Sequence, residues 1–227
     1  MNIDYYKIAE DLRSYHSLEA REEVLEELYH NAIRTLKSVY LFKNFDEYEV
    51  QLRASKNESK MEVYWNALYY EKLIDYIKIS IAFETYNKAI LIENGVLVHL
   101  IKKSKKTNEL YKIQNKGLPV KIEEFKRACA FKRDSFFENY YLEGLRLGYP
   151  TISYSTTLNE NYQNIINLNQ DLLLRLKEIN EKRNRLHFFT EFSGAFEVEF
   201  HLKKWRQIME SANETITMKL KERLDRK

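Results

Sequence analysis

At 227 residues and 44% apolar side chains, the chain can bury a real core as one large domain or one domain with an appendage. Five glycines and two prolines, none of them before Gly95, disfavour turn-rich β architectures, so the expected class is all-α. A net charge of +3 singles out no partner, and one cysteine, Cys129, excludes an intramolecular disulfide framework; no CxxC or Cys/His cluster is present to hold a structural zinc.

The opening stretch "MNIDYYKIAEDLRSYH" has no basic segment followed by an apolar one, and the chain has no charge-free run of about 18 residues. Neither secretion nor membrane insertion is expected, and the expected compartment is the cytoplasm. A short helix is predicted around Tyr5 to Tyr15. Ser17 is the predicted N-cap of a long first helix whose opening turns are acidic and whose apolar residues recur at helical spacing. The polar stretch "ASKNESK" breaks the pattern, and Ser59 with Glu62 has the form of a capping box. From Met61 to Glu93 no breaker occurs and apolar residues fall on nearly every face, which predicts a central helix of roughly 50 Å with a bend or split near Ile79.

Asn94-Gly95 ends or bends that helix, although "VLVHLI" can carry it on to Lys102. A lysine-rich connection is predicted next, with an extended piece around Gly117 to Ile122. Helix then resumes in "EEFKRACAFKRDSFFENYYLEGLRLG", and "YPTISYSTTLNENYQN" is predicted to be a loop. Two closing helices are predicted, Asn164 to Phe188 and Val198 to Arg223. No internal repeat, low-complexity linker or clear domain boundary is visible.

Charge is distributed unevenly along the chain. Residues 1–50 hold 6 basic and 11 acidic side chains, whereas Lys102 to Arg133 hold 11 basic and 3 acidic, a net of +8. Lys102, Lys103, Lys105, Lys106, Lys112 and Lys116 lead that segment and are the candidate nucleic-acid-binding residues. A solvated basic loop is the alternative reading.

The candidate chemistry lies in "EKRNRLHF". With Ile179 at 0° on a helical wheel, Leu168, Leu172, Leu176, Ile179 and Leu186 fall between about −20° and +60°. Arg183 lies at about +40°, inside that stripe, and His187 one turn later at about +80°, so the two can act on one point. Asn180 and Asn184 flank them. A guanidinium aimed at a core or an interface must be paired. Either it meets a carboxylate on a neighbouring helix, or it holds a phosphate, for which its fork is suited, with histidine moving a proton near neutral pH.

"RNRLH" resembles the signature of the HEPN superfamily, the higher eukaryote and prokaryote nucleotide-binding helical bundles, in which an arginine followed by a polar residue precedes a histidine. "FETYNKAILIENG", Phe83 to Gly95, is similar to a helix common in such bundles, and the resemblance covers residues 61–220. It implies a helical bundle with long central helices over residues 58–227, preceded by a helical extension over residues 1–57. It also implies metal-independent, cofactor-free RNA cleavage by attack of the ribose 2′-hydroxyl. His187 would be the general acid or base, Arg183 would stabilise the phosphorane-like transition state, and Asn184 would orient one of them. A homodimer that pairs two motifs is implied, and a setting in toxin–antitoxin or antiphage systems, where an antitoxin or other protein is a partner. Three residues separate Arg183 from His187, fewer than is usual in the family.

The alternative function is a non-catalytic adaptor that uses the same face to bind a protein; the short spacing favours it, and the basic segment favours the nuclease. Among other candidates, His99 in "VLVHLI" is expected in the core or an interface, and His16, His30 and His201 on the surface or at caps. Ser153, Tyr154 and Ser155 belong to a polar loop within reach of a substrate, and Cys129 reads as a small buried residue.

Overall fold

The computed structural model describes the backbone of residues 18–39, 58–101, 103, 105, 107–128, 131–133, 140–142, 147–186 and 198–225. Side chains are described for residues 21–39, 74–101, 103, 105, 107–125, 127–128, 151–181, 183 and 206–225. The expected helix around Tyr5 to Tyr15 and the cap at Ser17 lie outside the described residues.

The protein is predominantly α-helical, as its composition led us to expect. In chain order the described elements are α1 (Leu18–Lys37), α2 (Glu58–Glu93), β1 (His99–Ile101), α3 (Asn108–Asn115), α4 (Ile122–Ala128), β2 (Phe131–Arg133), β3 (Tyr140–Leu142), β4 (Leu147–Thr151), α5 (Tyr154–Thr157), α6 (Glu160–Ile166), α7 (Gln170–Leu186) and α8 (Val198–Leu224). No helix among the described residues is long and apolar enough to cross a membrane. The chain divides into two compact units, one formed by Met1–Tyr29 with Glu84–Asn167 and the other by His30–Phe83 with Leu168–Lys227.

In the first unit, α2 ends in a left-handed turn at Gly95, whose φ is 71°. The Gly95 amide donates to the Ile92 carbonyl at 2.9 Å and the Val96 amide to the Leu91 carbonyl at 2.8 Å, the paired bonds of a Schellman stop. The turn ends the helix before "VLVHLI", which runs extended instead of continuing helically to Lys102. Odd-numbered residues of this extended segment face one neighbour: Leu97 donates to the Val120 carbonyl and Gly95 accepts from the Ile122 amide, both at 2.8 Å. On the opposite edge, β1 pairs antiparallel with β4, His99 opposite Thr151 and Ile101 opposite Leu147, with an irregularity between them. Pro150 lies within β4 and has no N–H to donate, which a strand paired along one side tolerates.

The expected helix from Glu123 to Gly148 stops at Ala128. After it, β2 and β3 pair antiparallel, Phe131 opposite Leu142 and Arg133 opposite Tyr140. Aromatic residues favour such pairings, and Gly144 and Gly148 weaken a continuous helix across this stretch. The expected loop at residues 149–164 is the end of β4 followed by two short capped helices. Ser153 Oγ accepts from the Thr156 amide at 3.1 Å, and Asn159 Oδ1 from the Tyr162 amide at 3.4 Å. Asn167, left-handed at φ 57°, then ends α6. Asn169 Oδ1 accepts from the Asp171 amide at 2.9 Å, so the next helix opens at Gln170 and not at Asn164.

The second unit follows helical periodicity more closely. Helix α2 is continuous from Glu58 to Glu93, with no split at Ile79, which is buried together with Tyr76, Ala82 and Phe83. On α7, Leu172, Leu173, Leu176 and Ile179 are buried; on α8, which packs against α7, Ile208, Met209, Ala212 and Ile216 are. These are the i, i+3, i+4 spacings that put one helical face into a core. Lys78 donates to the Ser38 carbonyl at 2.7 Å, placing a cation just beyond the C-terminal end of α1.

Candidate functional site

Arg183 is the residue of the predicted site whose side chain is described. Leu168, Leu172, Leu176 and Ile179 are buried, as the wheel requires, and Asn180 is buried beside them at 8% exposure. Arg183 comes one turn after Ile179 and is only half-buried, so the guanidinium emerges where the apolar stripe gives way to solvent. Among the described residues it has no hydrogen-bond or ion-pair partner. Another arginine of α7, Arg175, does form a pair, its Nη1 lying 3.0 Å and 3.3 Å from the two Glu178 oxygens. Asn184 lies on α7 with its side chain outside the described residues, and His187 lies outside them altogether.

Tyr76 and Glu178 add to the electrostatics of this unit. Tyr76 is buried on α2, and its phenol is pushed well above the ordinary tyrosine range, first by desolvation and then by the negative charge of Glu178. This hydroxyl stays neutral, a hydrogen-bonding group and not a base.

Of the predicted nucleic-acid-binding lysines, Lys103, Lys105, Lys112 and Lys116 are exposed, and Lys102 and Lys106 lie outside the described residues. Lys112 and Lys116 are on the last turn of α3 and just beyond it. Lys112 pairs with Glu109 at 2.9 Å in a fully solvated position, where such a pair contributes little. The Glu109 carboxyl is held below its ordinary range, chiefly by that hydrogen bond and charge.

Sequence reasoning missed a polar cluster in the first unit. Lys88 Nζ donates to Glu84 Oε1 at 2.5 Å and to Thr151 Oγ1 at 2.7 Å. Thr151 is the cross-strand partner of His99, which is 8% exposed. Burial, followed by the charge of Lys88, lowers the His99 pKa to about 4, so the imidazole is neutral at pH 7. Beside it, Asn87 Nδ2 donates to Thr157 Oγ1 at 3.0 Å, while Thr157 Oγ1 donates to the Tyr154 carbonyl. Gln163 Nε2 completes the group by donating to the Thr157 carbonyl at 2.7 Å. Asn87 Oδ1 is buried with no hydrogen-bond partner among the described residues. The available signal was Glu84, Asn87 and Lys88 at i, i+3, i+4 on an otherwise apolar helix. Since Glu84 already neutralises Lys88, the cluster is not built to receive an anion.

The remaining candidates are placed as follows. His99 is in the core, as expected, and His30 is half-buried on α1. Ser153 caps α5, Tyr154 is buried, and Ser155 is exposed. The side chains of His16, His201 and Cys129 lie outside the described residues, where among the described ones no group of three or more His, Cys, Asp or Glu side chains could hold a metal ion. Comparison of the chain with protein-family models, with curated proteins and with solved structures finds no match.

Proposed function

We propose that the protein is a HEPN-like, metal-independent endoribonuclease acting through Arg183 and His187. The supporting observation is the state of Arg183: it leaves the buried stripe of α7 half-buried, with no carboxylate partner among the described residues. Water can satisfy a half-buried guanidinium, and with no carboxylate partner among the described residues that of Arg183 is free to take an anion in its place. An unmatched guanidinium at a core boundary suits a dianionic or monoanionic phosphate oxygen pair, which it engages through two parallel N–H donors.

In this reading the ribose 2′-hydroxyl loses its proton as its oxygen bonds to the adjacent phosphorus. The bond to the 5′-oxygen breaks and that oxygen takes up a proton, leaving a 2′,3′-cyclic phosphate and a 5′-hydroxyl. His187 moves one of these protons, Arg183 stabilises charge on the phosphorane-like transition state, and Asn184 orients one of them. The reading includes a homodimer that brings two motifs together, a cytoplasmic setting, and a role in a toxin–antitoxin or antiphage system with an antitoxin as protein partner.

The test is RNA cleavage by purified protein in the presence of a chelator, set beside Arg183→Ala and His187→Ala. Each substitution is expected to lower the rate by about 10²-fold or more. Cleavage that is equal in all three folded proteins, or absent from all three, removes the nuclease reading. The adaptor reading has its own support in α2, where Ile74, Ile77 and Ile81 are 53%, 40% and 44% exposed. They fall within an arc of about 60°, an apolar face of the kind that protein partners cover.

A further inference from the structure

The lysine surface of the first unit has a geometry that specifies how it reads a polyanion. Helix α3 is held to β1 by one side chain, Gln114. Its Nε2 donates to the His99 carbonyl at 2.9 Å, and its Oε1 accepts from the Ile101 amide at 2.8 Å. The side-chain amide thus occupies the place of a neighbouring strand along the outer edge of β1. Anchoring at Gln114 sets the rotation of the helix. Lys112 and Lys116 stand about 160° from Gln114 on either side, so both point directly away from the sheet. Lys103 and Lys105, in the connection that leads into α3, are exposed as well.

The types of residue on this surface are as informative as their charge. From His99 to Ala128 the aromatic residues are Tyr111, half-buried, and Phe125, buried, so no exposed ring is present on which a base can stack. The outward cations are lysines, which act as point charges. The arginine of this stretch, Arg127, is exposed and donates Nε to the Glu123 carbonyl of its own helix at 3.3 Å. The nearby acidic groups include Glu109, which pairs with Lys112, Glu124, which accepts from the Lys121 amide at 3.2 Å, Glu123 on α4, and Glu160, exposed at the start of α6 beside Asn161, whose Nδ2 donates to the Gly117 carbonyl at 3.2 Å.

We infer that Lys103, Lys105, Lys112 and Lys116 bind the phosphate backbone of double-helical RNA without reading its sequence. This rests on the proposed action on RNA and adds to it the form of the substrate. Backbone contacts need no splayed bases, and a duplex presents its phosphates in a regular array to exposed lysines. Single-stranded RNA, by contrast, is gripped largely through base stacking, and among the described residues the lysine segment exposes no ring for it.

The experiment is fluorescence anisotropy with the full chain, using RNA duplexes of two unrelated sequences and a single strand of matched length across a potassium chloride series. The duplexes are expected to bind within about twofold of each other and about tenfold more tightly than the single strand. Lys112→Gln with Lys116→Gln, both on an exposed surface, is expected to weaken duplex binding about tenfold or more and to reduce the slope of log K against log salt by about 2. RNA cleavage or binding that is unchanged by these substitutions overturns the inference and leaves the nuclease reading standing. So does tight binding restricted to one sequence or to single strands. Absence of both binding and cleavage at low salt overturns both. If vesicles rich in phosphatidylserine bind in a lysine-dependent way while RNA does not, the surface is a lipid contact and the inference fails.

Discussion

The two units solve the burial of α2 differently. In the unit formed by His30–Phe83 and Leu168–Lys227, aliphatic stripes on α7 and α8 are buried, as are Tyr76, Ile79, Ala82 and Phe83 of α2. Around its last turns, in the other unit, the core is also mostly apolar but is crossed by side-chain hydrogen bonds between residues distant in sequence: Asn87 with Thr157, Gln114 with β1, Tyr29 with Glu93 at 3.0 Å. Apolar packing is non-directional and tolerates exchange of similar volumes, whereas a hydrogen-bonded group that loses its partner costs its full desolvation. The packed stripes of α7 and α8 should therefore respond to lost volume, and the hydrogen-bonded groups of the other unit to lost partners and to pH.

The largest effect is expected from Leu176→Ala. Leu176 is fully buried on α7, and truncation leaves a cavity costing about 2–5 kcal/mol. Leu176→Met, which keeps most of the volume, should cost less than about 1.5 kcal/mol. Denaturant midpoints of the two variants measure the difference, and equal losses would mean that shape, not volume, governs this core.

A loss of about 3 kcal/mol is expected on acidification through His99. Its folded pKa, about 4, lies below the ordinary value of 6.5, so the unfolded chain binds the proton more readily between these two. The contribution of neutral His99 is therefore complete above about pH 6.5, declines as pH falls, and is exhausted near pH 4. Lys88, held by Glu84 and Thr151, is the adjacent charge that opposes protonation. Urea midpoints for the native chain and His99→Gln, taken at pH 7 and pH 5, should converge toward acid; parallel curves would show that His99 titrates normally.

Gln114→Leu ranks next, at about 2 kcal/mol, because it strands the His99 carbonyl and the Ile101 amide without their partners. Gln114→Glu keeps the acceptor for Ile101 and loses the donor to His99. At pH 7 it also brings a carboxylate near the His99 carbonyl, so it should fold no better than the leucine variant. A glutamate variant as stable as the native chain would mean that the strand-like pairing is not what holds α3.

The same contrast explains what could be read from the sequence. The stripe from Leu168 to Ile179 and the span of α8 follow from local spacing, so they were legible; Arg183, which the wheel puts inside the stripe, is only half-buried, because a wheel gives an angle and not the depth of the neighbouring elements. The β segments were not: three-residue strands such as β1 and β2 have no periodicity to detect, and "VLVHLI" suits helix and strand alike. The polar cluster was hidden for a different reason. Asn87 and Lys88 find their partners 70 and 63 residues away, and no local pattern announces such a pairing. Gly95 was the legible exception, a breaker placed where a helix gives way to a strand.

The smallest effects are expected at two helix ends in the unit formed by Met1–Tyr29 and Glu84–Asn167, where glycine takes a left-handed backbone. Gly95 and Gly117 have φ values of 71° and 72° and close Schellman motifs after α2 and α3. Their surroundings differ: a Cβ at Gly95 meets nothing within 4 Å, and one at Gly117 comes to 3.4 Å from Asn159 Nδ2. If backbone strain decides the cost, Gly95→Ala and Gly117→Ala should each lose about 1 kcal/mol and lose it equally. Asparagine should be cheaper than alanine at both sites, since its side chain tolerates this conformation and Asn167 already adopts it at φ 57° in the same unit. A clearly larger loss at Gly117 than at Gly95 would show that even an ordinary contact is felt there, as it would be if Asn159, the cap of α6, must stay in place for the helix to start. The unit that holds both glycines would then be sensitive to side-chain position as well as to pairing.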